Sequence, residues 1–341
     1  MIEIDGALGG GSVLRIALQM SIVTQKPFHI INIRKNRPKP GVKAQHLLGI
    51  TALKKLSNSK VEGAFLGSEE LTFYPGEYKG GHLNLDVGTA GSITLVLQSI
   101  LLPMMLLKPT SLKIVGGTDV PYSPTSDYFK NVLLFYFRKY SEVSFKILKR
   151  GYYPKGGGVV SIKTRPYNLG HYRPLILNKA EEEFHILGIS TASKNLMNAE
   201  VSERQAKSAR EFIKHQLGKE AVIDVVYSEA SSPGSSICLW AVFENLSGEA
   251  SYTLGADQLG KRGVSSEKIG KLCAEKLVYE VKHGVVDKLL ADQLIPLLSI
   301  VGGSIKTSEI TDHIKSAVYV VNKFIDEKVE LDEENKIIKR I

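Results

Sequence analysis

The residues best suited to chemistry on anions form a short segment near the middle of the 341-residue chain. This segment, residues 150–158, holds two cations, one proline and four glycines within nine residues. Consecutive glycines let a backbone approach a ligand closely and adopt positive φ angles at little steric cost. Clusters of proline and glycine also mark ordinary turns, so the composition alone equally allows a turn in which Arg150 and Lys155 face water.

A second candidate anion site is the most basic segment, residues 34–41, here called the basic loop. Its two prolines and its glycine predict a loop rather than a helix or strand. Gln45 and His46 follow at a predicted helix start, which favours a loop that contacts phosphates over a simple solvated connection. Arg34 and Arg37 are the candidate phosphate contacts.

Two glycine-rich loops, residues 6–12 and 88–92, each stand between a predicted strand and an apolar helix. Free backbone amides and the positive end of a helix dipole at such a position attract anions. Neither loop has the glycine spacing of a Walker loop or of a dinucleotide-binding fingerprint. Taken alone, each loop is a weak signal for phosphate binding.

The candidate nucleophile is one of eight histidines, and sequence alone does not choose among them. His313 follows Thr311, a residue type that caps helices, and lies off the apolar stripe that Ile314 and Val318 begin. A first-turn imidazole is disfavoured as a cation by the helix dipole, and a neutral imidazole is what a nucleophile requires. An exposed histidine without a chemical role is the simpler interpretation of these residues alone.

The order Arg-Gly-x-x-Pro-x-Gly-Gly-Gly-x-Val at residues 150–160 resembles the signature of the RNA 3′-terminal phosphate cyclases. The resemblance extends from Asp5 to about Phe324 and implies an ATP-dependent enzyme. Such an enzyme converts an RNA 3′-terminal phosphate to a 2′,3′-cyclic phosphate and releases AMP and pyrophosphate. The resemblance implies that His313 forms a covalent histidine-AMP, which passes AMP to the RNA. The implied ligands are ATP, a divalent metal (Mg²⁺ or Mn²⁺) and an RNA with a 3′-phosphate end.

The same resemblance implies roles for further residues. Those that would bind the nucleotide are Gln98, Pro124, Leu289, Leu290, Ala291, Asp292 and Gln293. Those that would bind the RNA are Arg15, Arg34, Arg37, Gln45, His46 and Arg150. The family's first loop usually reads Gly-x-Gly-Glu-Gly-Gly-Gly-Gln, whereas here it is two residues shorter, lacks the Glu and has Ser12 in place of the Gln. The missing Glu leaves the ligands of the divalent metal unassigned. Leu289 stands where the family often has an aromatic residue, so aliphatic packing on the adenine is expected there.

The composition is that of an ordinary globular protein with an excess of basic residues. Hydrophobic residues make up 43% and charged residues 23%, which argues against disorder. The net charge of +9 favours an anionic partner, because lysine and arginine neutralise phosphates. The two cysteines do not suffice for a disulfide framework. A cytoplasmic protein without a membrane span is expected, and a homo-oligomer is one alternative for its assembly.

The predicted fold class is α+β. A glycine loop, a serine, an apolar helix, a Lys-Pro pair and a strand recur in this order about 80 residues apart, which predicts repeated α/β modules of one sheet and two helices. The family resemblance adds a pseudo-threefold axis and a smaller inserted α/β domain of thioredoxin-like topology. We assign the catalytic repeat domain to residues 1–182 and 285–341, and the inserted domain to residues 183–284.

Two other functions are compatible with parts of the pattern. The cyclase-like proteins of ribosome assembly share the fold and act without nucleotidyl transfer, but they lack the histidine that His313 would supply. Enolpyruvate transferases are built from similar modules, but the basic loop and residues 150–158 favour RNA over a small phosphorylated substrate.

Overall fold

The computed structural model describes residues 1–168, 171–245 and 247–340, which form four four-stranded sheets covered by helices. The mixed α/β architecture agrees with the predicted fold class. None of the helices within the described ranges combines the length and apolar character needed to cross a membrane.

The first unit runs strand, helix, strand, helix, strand, strand. Its elements are β1 (Ile2–Asp5), α1 (Gly11–Thr24), β2 (Phe28–Ile31), α2 (Ala44–Ser57), β3 (Lys60–Glu62) and β4 (Leu71–Tyr74). The sheet order is β1-β2-β4-β3, in which β1 and β2 are parallel and the other pairs are antiparallel. Because β1 and β2 are parallel, the loops that follow them leave the same edge of the sheet.

The second unit repeats this sequence of elements. They are β5 (Gly81–Asp86), α3 (Ile93–Gln98), α4 (Leu101–Leu106), β6 (Thr110–Gly116), α5 (Ser126–Tyr128), a π-helical turn (Phe129–Leu133), α6 (Leu134–Phe137), β7 (Ser141–Lys149) and β8 (Gly158–Pro166). The order β5-β6-β8-β7, with only the first pair parallel, matches the first sheet. The apolar run after Ser92 was predicted to be one buried helix, and it forms the two buried helices α3 and α4.

Strand β9 (Leu175–Leu177) begins the third unit, which the chain leaves before completing it. Residues 184–283 form a separate sheet with two helices, here called the fourth sheet. Its elements are β10 (Phe184–Ser193), α7 (Val201–Leu217), β11 (Ala221–Ser228), β12 (Ser235–Glu244), β13 (Ala250–Leu259) and α8 (Ser266–His283). The order is β11-β10-β12-β13, with β10 and β11 parallel and the other pairs antiparallel. Glycine caps the C-terminus of both helices, at Gly218 and Gly284.

The chain then completes the third unit. The remaining elements are α9 (Lys288–Val301), β14 (Gly303–Lys306), α10 (Asp312–Phe324), β15 (Glu330–Asp332) and β16 (Ile337–Arg340). Together with β9 they form the sheet β9-β14-β16-β15, in which only β9 and β14 are parallel. Three sheets therefore share one strand order. The glycine turn at residues 156–158 lies between β7 and β8 of the second unit.

Candidate active site

Helix α10 holds His313 in its first turn, as predicted. The hydroxyl oxygen of Thr311 accepts the N–H of Ile314 at 3.3 Å and caps the helix. Ile314 and Val318 are buried on one face, whereas the imidazole of His313 is half-exposed on another. Burial first, and then the nearby cations Arg15 and Arg37, lower the pKa of His313 below its ordinary value. The imidazole is therefore neutral at neutral pH.

Two side chains stand beside the Nδ1 atom of His313. Ser12 Oγ lies 3.4 Å from it and Asp292 Oδ2 lies 4.0 Å from it. Ser12 donates its single hydroxyl proton to the carbonyl of Gly9 at 2.6 Å, so toward His313 the hydroxyl oxygen is free only to accept. This arrangement favours the tautomer with hydrogen on Nδ1, which leaves the lone pair of Nε2 available for attack.

A pocket of about 390 Å³ opens next to this histidine, between α1, α3, the π-helical turn and α9. Its lining residues are Ser12, Arg15, Ile16, Gln19, Gln98, Leu101, Leu133, Phe137, Asp292, Gln293 and Pro296. Four of the residues predicted for nucleotide or RNA binding thus meet in one cavity, and Gln98 Nε2 donates to Gln293 Oε1 at 2.5 Å. The lining combines polar and apolar side chains, as expected for a site that binds an aromatic base next to an anion.

The two charged groups of the pocket influence each other. Burial raises the pKa of Asp292 to about 7, while Arg15 opposes that rise and Asp287 adds to it. Burial lowers the pKa of Arg15 to about 10, and Asp292 opposes that fall. Arg15 is therefore a cation at neutral pH, and Asp292 is close to its titration midpoint.

The basic loop presents one of its predicted arginines to the first glycine loop. Arg34 donates to the carbonyls of Lys39 and Gly41 at 2.7 and 3.1 Å, so it shapes the basic loop from within. Arg37 is exposed, and its Nε atom lies 3.1 Å from the position that a Cβ at Gly10 would occupy. Arg37 is thus the cation of the basic loop that faces the glycine loop beside His313.

Gln45 and His46 support the glycine loops from below. His46 Nδ1 accepts the N–H of Lys43 at 3.2 Å, and a Cβ at Gly11 would lie 2.5 Å from His46 Nε2. Burial, reinforced by Arg15 and other nearby cations, lowers the pKa of His46 to about 3. The ring is therefore neutral at neutral pH and contributes no positive charge to an RNA phosphate. Gln45 Oε1 lies 3.1 Å from the position that a Cβ at Gly91 would occupy. Gln45 therefore places helix α2 of the first unit next to the second glycine loop, residues 88–92.

Comparison with known proteins agrees with this geometry. The profile of the family described as RNA 3′-terminal phosphate cyclase matches residues 7–331. A relative from Pyrococcus furiosus with that name is 47% identical over 336 residues, covering 97% of this chain and 95% of the relative. Relatives of the same name from Thermococcus kodakarensis (44% identical, 98% and 95% covered) and Archaeoglobus fulgidus (42% identical, 99% and 99% covered) are also similar.

The chain belongs to the RNA 3′-terminal phosphate cyclase family. The family prediction is thereby confirmed, as is the prediction that the protein is an enzyme of this family. The match covers nearly the whole length of the chain and of its relatives. The enolpyruvate transferase alternative is therefore set aside.

Within this family member, Arg150 does not lie where RNA could reach it. Its Nη1 atom donates to Asp127 Oδ2 at 2.6 Å and to Asp119 Oδ2 at 3.2 Å, and the arginine side chain is only 8% exposed. The expectation of an RNA contact at Arg150 needs correction, because both ion-pair partners of the guanidinium are buried carboxylates. The arginine of the signature segment instead ties the loop that carries Asp119 to helix α5, which carries Asp127.

Four other predicted nucleotide contacts of the cyclase are not part of the pocket lining. Leu290 and Ala291 are fully buried in the core, so they support α9 and leave contact with a ligand to their neighbours. Leu289 is 46% exposed at the start of α9. Pro124 is half-buried, and its carbonyl accepts the hydroxyl of Thr94 at 2.9 Å.

Sequence reasoning missed part of the pocket of this cyclase. Gln19 lines it, and its side-chain oxygen accepts the N–H of Leu102 at 3.2 Å. The signal that could have found it is a glutamine within the apolar pattern of α1. Leu133 and Phe137 provide apolar wall, but their sequence pattern is that of ordinary core residues.

A protein-built metal centre is not apparent in the cyclase. Among residues 1–168, 171–245 and 247–340 no group of three or more His, Cys, Asp or Glu side chains is arranged to hold a metal ion. Asp292 is the acidic side chain that lines the pocket, and the first glycine loop carries no acidic residue. The protein residues alone thus do not fit a preformed metal site, although Mg²⁺ that arrives on nucleotide phosphates needs few protein ligands.

Proposed function

We propose that this protein converts the 3′-terminal phosphate of an RNA to a 2′,3′-cyclic phosphate with consumption of ATP, using His313 as nucleophile. The observation that carries the proposal is the neutral imidazole whose Nδ1 side faces Ser12 and Asp292 at the edge of the pocket. The names of its relatives support the overall activity.

In the first step Nε2 of His313 attacks the α-phosphorus of ATP. The bond from that phosphorus to the bridging oxygen breaks, and pyrophosphate leaves. The imidazole becomes positively charged, and its Nδ1 proton faces Ser12 Oγ and Asp292 Oδ2. An ionised Asp292 stabilises that charge, as a carboxylate does for the histidine of other nucleophilic sites.

In the second step an oxygen of the RNA 3′-phosphate attacks the phosphorus of the histidine-AMP. The phosphorus–nitrogen bond breaks and His313 is regenerated. In the third step the neighbouring ribose 2′-hydroxyl loses its proton and attacks the 3′-phosphorus, and AMP leaves. The products are a cyclic phosphate end, AMP and pyrophosphate.

Positive charge is needed at each step because phosphorus moves between anions. Arg15 at the pocket and Arg37 over the first glycine loop are placed to supply it. The N-terminus of the 14-residue helix α1 begins at Gly11, next to Ser12, and adds backbone amides and the positive end of its dipole. A divalent ion bound to the ATP phosphates would add further charge, and we propose no protein ligand set for it.

Within this proposal the side-chain amides of Gln98 and Gln293 bind the nucleotide in the pocket. Leu133 and Phe137 give the base an apolar surface, with Leu289 and Pro124 outside the lining. The RNA would lie along the basic loop and the two glycine loops. We also propose that the three like sheets surround a pseudo-threefold axis, and that residues 183–284 are an inserted thioredoxin-like domain. The shared strand order of the three sheets and the order β11-β10-β12-β13 support this.

The test is conversion of an RNA oligonucleotide with a 3′-phosphate to a phosphatase-resistant cyclic end, with ATP and either Mg²⁺ or Mn²⁺. Wild type and the control His283→Ala, which changes an exposed histidine at the end of α8, should convert the RNA, and His313→Ala should not. Activity retained by His313→Ala would remove the proposed nucleophile. No conversion by wild type with either metal would favour the alternative of a non-catalytic, cyclase-like protein of ribosome assembly.

A further inference from the structure

Asp287 is a buried carboxylate at the point where helix α9, the second unit and the fourth sheet meet. It directly precedes α9 and is 1% exposed. It is outside the pocket lining and outside the residues predicted from sequence. A carboxylate so deeply buried is costly unless its oxygens are hydrogen-bonded.

Both oxygens of this carboxylate accept hydrogen bonds. Oδ1 accepts the N–H groups of Leu289 and Leu290 at 3.0 and 2.9 Å, which caps α9, and also the hydroxyl of Tyr128 at 2.7 Å. Oδ2 accepts the N–H of Gly255 in β13 at 2.9 Å. Since all four partners are donors, both side-chain oxygens at this position must be acceptors.

The elements that Asp287 joins are the walls of the nucleotide pocket. Helix α9 carries Asp292 and Gln293 into the pocket. Tyr128 ends α5, and the helical turns that follow it carry Leu133 and Phe137 into the lining of the same pocket. The carboxylate of Asp287 thus fixes α9 relative to the helical turns that follow Tyr128, and both elements line the pocket.

The fourth sheet reaches this point because β13 has a glycine there. A Cβ at Gly255 would lie 2.6 Å from Val132 Cγ2, so only glycine lets the strand approach the π-helical turn this closely. The Gly255 N–H is the link between the fourth sheet and the carboxylate that caps α9.

We propose that Asp287 is a positioning residue for ATP binding, which ties the fourth sheet to the pocket wall that carries Asp292 and Gln293. The fourth sheet then contributes to nucleotide affinity although none of its residues lines the pocket within the described ranges. This inference rests on the proposed function in one respect, namely that ATP is the ligand of the pocket.

Asp287→Asn separates this role from simple helix capping. The asparagine oxygen can keep the Oδ1 contacts with α9 and Tyr128, whereas its NH₂ group then faces the Gly255 N–H, donor against donor. If the residue served only as a cap, the variant would bind ATP normally. Asp257→Asn is the matched control. Asp257 is a half-buried carboxylate in β13 that likewise accepts a backbone N–H, that of Thr125 at 2.7 Å, but it does not join α9.

The experiment measures equilibrium binding of ATP and of a 3′-phosphorylated RNA well below the unfolding temperature. All variants are made in a His313→Ala background, so binding is measured without covalent transfer and independently of whether that histidine is the nucleophile. Asp287→Asn should raise the Kd for ATP by about tenfold or more and leave the RNA Kd unchanged, because small displacements of positioning groups have effects of this size. Asp257→Asn should leave the ATP Kd within about twofold, a change well below the tenfold step that 1.4 kcal/mol produces.

Three results would overturn the proposal. The first is normal ATP affinity in Asp287→Asn, and the second is equal weakening in Asp257→Asn, which would indicate general loosening of the sheet contact. The third is a lack of ATP binding by the His313→Ala protein that carries no second substitution. Failure of wild type to cyclise RNA, with ATP binding intact, would contradict the proposed function and not the role of Asp287.

Discussion

Replacing Arg150 by methionine should destabilise the protein strongly, because it would leave two buried carboxylates without their cation. The arginine Nη1 lies 2.6 Å from Asp127 and 3.2 Å from Asp119, and all three side chains are at most 8% exposed. Removing one partner of a buried ion pair typically costs about 3–5 kcal/mol of unfolding free energy. Ser236 in β12 also donates to Asp119 at 3.1 Å, so the loss should extend to the contact with the fourth sheet.

The size of this loss should depend on pH. Burial already raises the pKa of Asp119, and Arg150 opposes that rise. Without the arginine the folded-state pKa of Asp119 should lie still higher above its unfolded value. A carboxyl with a raised folded pKa stabilises the fold below its unfolded pKa and loses that contribution as the pH rises through the folded pKa. The deficit of Arg150→Met relative to wild type should therefore be smaller at pH 5 than at pH 8.

Urea denaturation at both pH values measures the effect, and Arg204→Met is the matched control. Arg204 pairs with Glu267 through Nε at 2.6 Å, but both side chains are exposed, so its replacement should change stability far less. RNA affinity, measured where Arg150→Met is still folded, should be close to that of wild type. A stable Arg150→Met variant that has selectively lost RNA binding would refute the ion-pair interpretation and restore the sequence-based one.

Two further predictions concern pH dependence and backbone packing. Arg37→Ala removes one of the cations that lower the pKa of His313, so this pKa should rise. The pH below which covalent labelling by ATP is lost, measured without RNA, should therefore be higher in Arg37→Ala than in wild type. An unchanged or lower value would contradict this. Gly156→Ala should destabilise the fold by at least about 1 kcal/mol more than Gly263→Ala in denaturation experiments. Both glycines have positive φ, but a Cβ at Gly156 would lie 2.8 Å from the Cα of Ala90 and one at Gly263 meets open space, so equal losses would argue against close packing of the glycine turn.

Sequence reasoning was most successful where local patterns determine structure. Thr311 caps α10 and His313 lies in its first turn, as their residue types and spacing predict. Capping residues, glycine stops and apolar periodicity act within a few residues, so they can be read without knowing the fold. The recurring order of glycine loop, helix and strand corresponds to the first two units, whose sheets have the same strand order in the structure.

The errors concern contacts between residues distant in sequence. Arg150 looked like a phosphate contact because its carboxylate partners, Asp119 and Asp127, lie more than 20 residues away. The strand β13 was not predicted. The burial of Leu290, like the placement of Asp287, depends on how α9 packs against other units. Charge and glycine content identify a segment that could bind an anion, but only the fold decides whether an arginine faces solvent or a buried acid.

The most direct test of the central claim is the site of covalent labelling after incubation with α-labelled ATP and a divalent metal. Peptide mapping by mass spectrometry should find one AMP group on the peptide that contains His313, attached through nitrogen and therefore labile to acid. The label should disappear from peptides treated with acid and should be absent from His313→Ala. Stable labelling of another residue, or no covalent AMP in a preparation that cyclises RNA ends, would contradict the account.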